Sequence, residues 1–161
     1  MKTYIFKHSL LGVILGLSIL GCTEGDKFDY NKNMAFITGT ETTPVTKFVV
    51  EDTPSSYAVT ASTTDKVDKD VNVKFAIDRS LVETYNNEHN TKYYAIPEGA
   101  VTLEDADAVI QAGKAFSTPA TVKVISTEDF AEGRVYVVPV TMVEVDGLEI
   151  LKPSKTIFLQ I

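Results

Sequence analysis

The chain has 161 residues, with 15 lysines and arginines against 22 aspartates and glutamates, a formal net charge of −7, one cysteine and no tryptophan. An acid excess of this kind works against nucleic acid and anionic lipid surfaces as partners. One cysteine leaves nothing to form an internal disulfide and excludes thiol chemistry that needs a pair.

The first residues, Met1-Lys2-Thr3-Tyr4-Ile5-Phe6-Lys7, are basic, and Ser9 to Cys22 follows as an apolar stretch of about a dozen residues, too short to span a bilayer. That is the pattern of a secretory leader. Cys22 follows Ile19-Leu20-Gly21, which resembles the lipobox of bacterial lipoproteins, with an apolar residue three places before the cysteine and a small one directly before it. Residues 1–21 are then a signal peptide, and Cys22 carries the acyl chains that anchor the protein. The other reading is an ordinary secreted protein with a stray thiol. Lys2 and Lys7 leave with the leader, so Cys22–Ile161 has 15 − 2 = 13 cations against 22 acids, a net −9. Residues 22–33 are polar apart from Phe28 and Tyr30 and read as a tether. Glu24 and Asp26 stand where acids accompany export of similar lipoproteins to the outer face.

Residues 34–161 read as one domain of short strands separated by turn clusters. The expected strands are Met34–Thr38, Val45–Glu51, Tyr57–Ser62, Val71–Asp78, Val101–Leu103, Ala108–Gln111, Ala120–Ser126, Val135–Val145 and Thr156–Ile161. Val71, Val73, Phe75 and Ile77 alternate with polar residues, which sets one face on a core. Ser80-Leu81-Val82-Glu83 fits a capping box, so a helix of about two turns should start there, with Ser80 as its cap. It should pack through Leu81 and Tyr85 and end among Asn86, Asn87 and Asn90. Val135–Val143 is apolar throughout and predicts a strand buried on both faces, with Pro139 requiring a bulge or an edge position. Glu132-Gly133-Arg134-Val135-Tyr136 resembles a tyrosine corner, and Val145-Asp146-Gly147-Leu148 predicts a two-residue hairpin. The fold class is all-β, an immunoglobulin-like antiparallel β-sandwich with one short helix.

Three runs together are similar to the family called domain of unknown function 1735, found in surface lipoproteins of Bacteroidetes. They are Lys66–Val73, Ile77–Asn86 with Tyr94–Pro97, and Arg134–Val140. The resemblance covers nearly all of residues 34–161. It implies an immunoglobulin-like sandwich near the N-terminus of lipidated proteins, often followed by a family-18 endoglycosidase, a discoidin-like module or a second β-domain. It also implies company in glycan capture and degradation. The family has no agreed catalytic residues to carry over, and this chain stops where the domain stops, so an enzyme is not expected.

The residues agree with that expectation. His8 leaves with the leader and His89 stands alone near the helix end, too few nitrogen bases for a zinc site or a Ser-His-Asp triad. No cofactor and no metal site are expected. Glu104-Asp105-Ala106-Asp107 is the densest acidic group. It reads as a solvated loop, with calcium as the alternative. Carbohydrate recognition needs an aromatic face flanked by amides, and the candidates are Tyr93 and Tyr94 with Asn87 and Asn90; packing is the competing role for both tyrosines. Adjacent residues in an extended segment point to opposite sides. Tyr94 aligns with the family's recurring aromatic before Ile96-Pro97 and is expected to pack, leaving Tyr93 to face a sugar. Two functions remain: a lipid-anchored accessory module of a glycan-capture system at the outer membrane, facing the cell surface, or a structural sandwich that binds protein and no glycan.

Overall fold

The computed structural model describes residues 32–161. The expected leader, Cys22 and the tether as far as residue 31 lie outside the described residues. In chain order the strands are β1 (Met34–Ile37), β2 (Val45–Lys47), β3 (Ser55–Val59), β4 (Ala61–Thr63) and β5 (Val71–Ile77). The helix α1 (Leu81–His89) follows, then β6 (Tyr93–Ala95), β7 (Val101–Glu104), β8 (Asp107–Ile110), β9 (Ala120–Val124), β10 (Val135–Val145), β11 (Glu149–Ile150) and β12 (Thr156–Gln160).

A six-stranded sheet runs β2-β12-β10-β5-β8, with β6 also paired to β10, and two three-stranded sheets, β11-β1-β4 and β3-β9-β7, complete the sandwich. Side chains from all three sheets meet in one core, among them Ile37, Val59, Phe75, Val122, Val138, Val140 and Leu159. The expected all-β sandwich with a single short helix is therefore the observed architecture.

The alternation in β5 sets its facing as expected: Val71, Val73 and Phe75 are buried, while Asn72 and Lys74 are exposed. β10 is buried on both faces. Val138, Val140 and Met142 enter the main core, and Val137 packs on the other side with Phe158 of β12 and Val82 of α1. The helix exists in its short form because it covers this second face of the sheet.

Pro139 needs neither a bulge nor an edge. It sits in mid-sheet opposite Phe158, and its carbonyl accepts from the Asp78 N–H. Its missing N–H thus faces the side where β10 changes partner, from β6 at Val135–Val137 to β5 at Val140–Val145. A donor is not required at that junction. The bulge lies further along, where the register to β5 shifts between Met142 and Glu144.

Three expectations need correction. Ser80 does not cap α1: its backbone is already helical and its hydroxyl makes no cap bond. Asp78 takes that role, its Oδ1 accepting from the Ser80 N–H at 3.1 Å and from the Ser80 Oγ at 2.6 Å. Val82 is the buried residue of the helix, and the expected contacts Leu81 and Tyr85 are partly buried and pack beside it. The stretch Tyr57–Ser62 is split between two sheets as β3 and β4, because Thr60 turns to Thr38, donating its hydroxyl to the Thr38 Oγ1 and accepting the Thr38 N–H at its carbonyl. Asp146-Gly147 does turn the chain, with Gly147 in the left-handed region where glycine is unstrained. However, the returning β11 pairs in parallel with β1, and β12 is the strand that lies antiparallel to β10.

The revised cap has a measurable consequence. Asp78→Ala should cost about 0.5–2 kcal/mol, the usual effect of losing a cap, with Ser80→Ala costing less. Phe75→Ala, which empties a fully buried site, should cost about 3–5 kcal/mol. Denaturant melts rank the three, and a Ser80→Ala effect larger than that of Asp78→Ala contradicts the assignment.

Candidate functional site

The candidate tyrosines sit on β6, and the helix decides which way each one points. Asn86 holds β6 to α1. Its Nδ2 donates to the Tyr93 carbonyl at 2.8 Å, and its Oδ1 accepts from the Tyr93 N–H at 2.9 Å and the Thr91 hydroxyl at 2.8 Å. One side-chain amide thus satisfies both backbone groups of Tyr93, as a neighbouring strand would. Asn90 ends the helix in the left-handed conformation, φ 53°, and donates its N–H to the Asn86 carbonyl, the terminal geometry that asparagine tolerates.

With β6 held this way, Tyr93 turns to the helix side. It is half-buried, its ring 6.1 Å from that of Tyr85. Tyr85 stacks on His89 at 4.2 Å and leans on Phe158 at 4.5 Å. Burial raises the Tyr85 hydroxyl's pKa above its ordinary value of 10.0, and the neighbouring Tyr93 raises it further.

Tyr94 takes the opposite face and is 42% exposed. The Arg134 guanidinium lies 4.5 Å from its ring centroid, a cation–π geometry. Its ring lies 6.0 Å from that of Tyr136, tilted at 50°. Tyr136 is the expected tyrosine corner: buried, stacked on Phe130 at 4.4 Å, its hydroxyl oxygen accepting from the Ala131 N–H at 3.1 Å.

The expected roles of the pair are therefore exchanged. Tyr93 packs and Tyr94 faces solvent, because the helix occupies the Tyr93 side of the sheet. Asn87 and Asn90 are exposed on the helix, so β6 separates them from Tyr94, and the four residues do not form one site. Asn86 is the asparagine with a structural task, and only the fold reveals it, since its partner is a backbone seven residues away.

The acidic loop is spread open. Glu104 pairs with Lys123 at 3.4 Å, Asp105 is left-handed at φ 53°, and the Ala106 carbonyl accepts from the Phe75 N–H. Among the described residues no three histidines, cysteines or carboxylates converge on a point that could hold a metal ion.

A further concavity lies on the solvent face of β8-β5-β10. It is a shallow cleft of about 290 Å³ lined by Asn72, Lys74, Asp107, Val109, Glu144 and Asp146, at the small end of ligand pockets. Asn72 Nδ2 donates to Asp146 Oδ2 across it at 2.7 Å. The alternation of β5 places Asn72 and Lys74 on that face, but the β8 and β10 partners are set by register alone.

Comparisons with known proteins place the fold. A family model described as an N-terminal domain matches residues 30–149, about three-quarters of the chain. No curated protein matches. Among solved structures, a candidate carbohydrate-binding protein of Bacteroides ovatus superposes with a TM-score of 0.69 at 18% identity, covering 79% of this chain and 36% of that one. EndoBT-3987 of Bacteroides thetaiotaomicron, solved with a Man5GlcNAc product, gives a TM-score of 0.59 at 19% identity over 80% of this chain and 30% of that one. A multidomain Bacteroides ovatus protein that includes a domain of unknown function 1735 gives 0.55 at 16% identity over 72% and 39%. The chain spans less than half the length of each.

Two measurements test this site. Asn86→Ala leaves both backbone groups of Tyr93 without partners and should cost about 1–3 kcal/mol, whereas Asn87→Ala should stay within about 0.5 kcal/mol of wild type. Because the Tyr85 pKa is raised on folding, its contribution is complete below the unfolded value of about 10 and is lost as pH rises past it. An ultraviolet titration should show a tyrosine ionising late in the folded protein and missing from Tyr85→Phe. If the late ionisation survives that substitution, the assignment to Tyr85 is wrong.

Proposed function

The chain belongs to the family of N-terminal domains whose model covers residues 30–149, and from that premise we propose that it is a non-catalytic, lipid-anchored module of a bacterial glycan-capture system of the domain of unknown function 1735 type. The observation that carries this reading is the recurrence of the sandwich inside larger proteins: it matches about a third of a candidate carbohydrate-binding protein and of EndoBT-3987, solved with a glycan product. Cys22 supplies the anchor in this reading, which puts the protein on the outer membrane facing outwards. The described chain suits such a tether. Asn33 is clamped at the start of the fold, its amide donating to the Asp65 carbonyl at 3.0 Å and its Oδ1 accepting from the Asp65 N–H at 3.0 Å. Lys32 is ion-paired with Glu149. The first described residues, Lys32 and Asn33, are therefore held against the loop after β4 and the start of β11.

In this reading Tyr94 supplies the aromatic contact to sugar. A second reading, a protein-interaction module without a glycan site, is favoured by the guanidinium of Arg134 over the Tyr94 ring, which occupies one of the faces a sugar would use.

Affinity electrophoresis through host and dietary polysaccharides tests the first reading. Wild type should be retarded by at least one, and Tyr94→Ala should run free while its melt stays within about 0.5 kcal/mol. A wild type that no polysaccharide retards overturns the capture reading and leaves the interaction module. The anchor is tested by metabolic labelling with an alkyne fatty acid: Cys22→Ser should lose the label and leave the outer-membrane fraction, and label retained by that variant contradicts lipidation at Cys22.

A further inference from the structure

The exposed apolar side chains are distributed unevenly over the sandwich. Six large ones stand out among the described residues: Val49, Tyr94, Phe116, Ile125, Val135 and Val143. Strand directions locate each of them. β10 runs away from the end that holds Val135 towards the end that holds Asp146, and its 11 residues span about 35 Å. Asn33 lies at the Asp146 end, lining one cleft with Asp146 and Gly147. Tyr94 is level with Tyr136. Val49 follows β2 just past the point where Lys47 meets Gln160, and Ile161 donates its N–H to the Tyr136 carbonyl. Ile125 extends β9 beyond the pairing of Val124 with Ser55 and Val101, and the chain runs from it through Phe130 to Val135.

Val49, Tyr94, Ile125 and Val135 therefore gather at one pole, the pole where Ile161 sits and the one furthest from Asn33. Val49 is 72% exposed and Ile125 43%. Isolated surface valines need no explanation, but four of six at one end form a concentration of the kind that marks an interaction site. The rim has a definite sign. Glu51, Asp52, Glu98, Glu128, Asp129 and Glu132 are exposed in the segments that carry the patch, against Lys47, Lys92 and Arg134, the last of which is engaged over Tyr94.

From this arrangement we infer that the pole is a docking surface for a different protein domain, one presenting an apolar centre ringed by lysine and arginine. A second copy of this chain would bring acid against acid, and like charges facing one another across an interface oppose binding. The apolar centre supplies the contact area and the acidic rim selects the partner. The inference rests on the second reading, the protein-interaction module, since sugar on Tyr94 would occupy the same pole.

Site-specific photo-crosslinking of the full chain in its native cells tests it. A benzophenone amino acid is placed at Val49 or Ile125 on the pole, and at Phe116 or Val143 as controls. The pole positions should each yield one discrete adduct with the same foreign protein, the crosslinked peptide being apolar and flanked by basic residues, and the controls should not. Val135→Glu, a surface change that leaves the melt unaltered, should abolish the Val49 adduct, and raised salt during irradiation should weaken it. An adduct with a second copy of the chain, adducts of equal yield at the controls, a polydisperse glycan smear, or no pole adduct each overturn the inference.

Discussion

The structure depends on the burial of β10 from both sides. Val137, Val138 and Val140 are fully buried, yet their side chains enter two different apolar clusters, one between the sheets and one beneath the helix. A strand with water on one face would alternate, and this one does not. Its two edges are equally occupied, by β12 along one and by β6 followed by β5 along the other. Removing its backbone from water is tolerable because its donors and acceptors have ladder partners. The single residue without a donor, Pro139, faces the change of partner from β6 to β5. The helix follows from the same constraint, since a second buried face must be covered and Val82 with its neighbours covers it.

Much of this was legible in the sequence, and the boundary of what was legible has physical causes. Period-2 alternation gave the facing of β5, and a continuous apolar run announced β10, because both signals are local. The tyrosine corner at Tyr136 was also readable, since the hydroxyl and its donor, the Ala131 N–H, are five residues apart. What failed was decided at a distance. Ser80 and Asp78 are both competent caps by composition, and the helix start was settled by the way β5 enters it. The Asp146-Gly147 turn is local, but the partner of β11 is β1, more than a hundred residues earlier. Tyr93 and Tyr94 are chemically equivalent until the helix takes one side of β6, and no local pattern assigns that side. Asn86 illustrates the same limit: an amide in a short asparagine-rich segment looks like helix termination, and in the fold it serves as the missing strand partner for Tyr93.

The arrangement also gives the molecule two dissimilar ends. At one, Asn33 and Lys32 are held by the loop after β4 and by Glu149, so the chain enters the fold in a fixed direction. At the other, the aromatic group of Tyr94, Tyr136 and Phe130 is buttressed by Arg134 and bordered by acids. β10 connects the two and sets their separation. A fold entered at one pole, with exposed aromatic and apolar side chains at the other, suits the proposed module, in which a binding surface would face away from the proposed anchor. The sugar-facing and protein-facing readings differ in what meets that pole and share this geometry.

Native-state hydrogen exchange over a denaturant series tests the central place of β10 most directly. Amides bonded to β12, such as those of Val138 and Val140, should exchange only through global unfolding, with the full denaturant dependence of the folding transition, while those of α1 open at lower free energy. If the β10 amides instead exchange through a local opening together with α1, the doubly buried strand is not what holds the sandwich together.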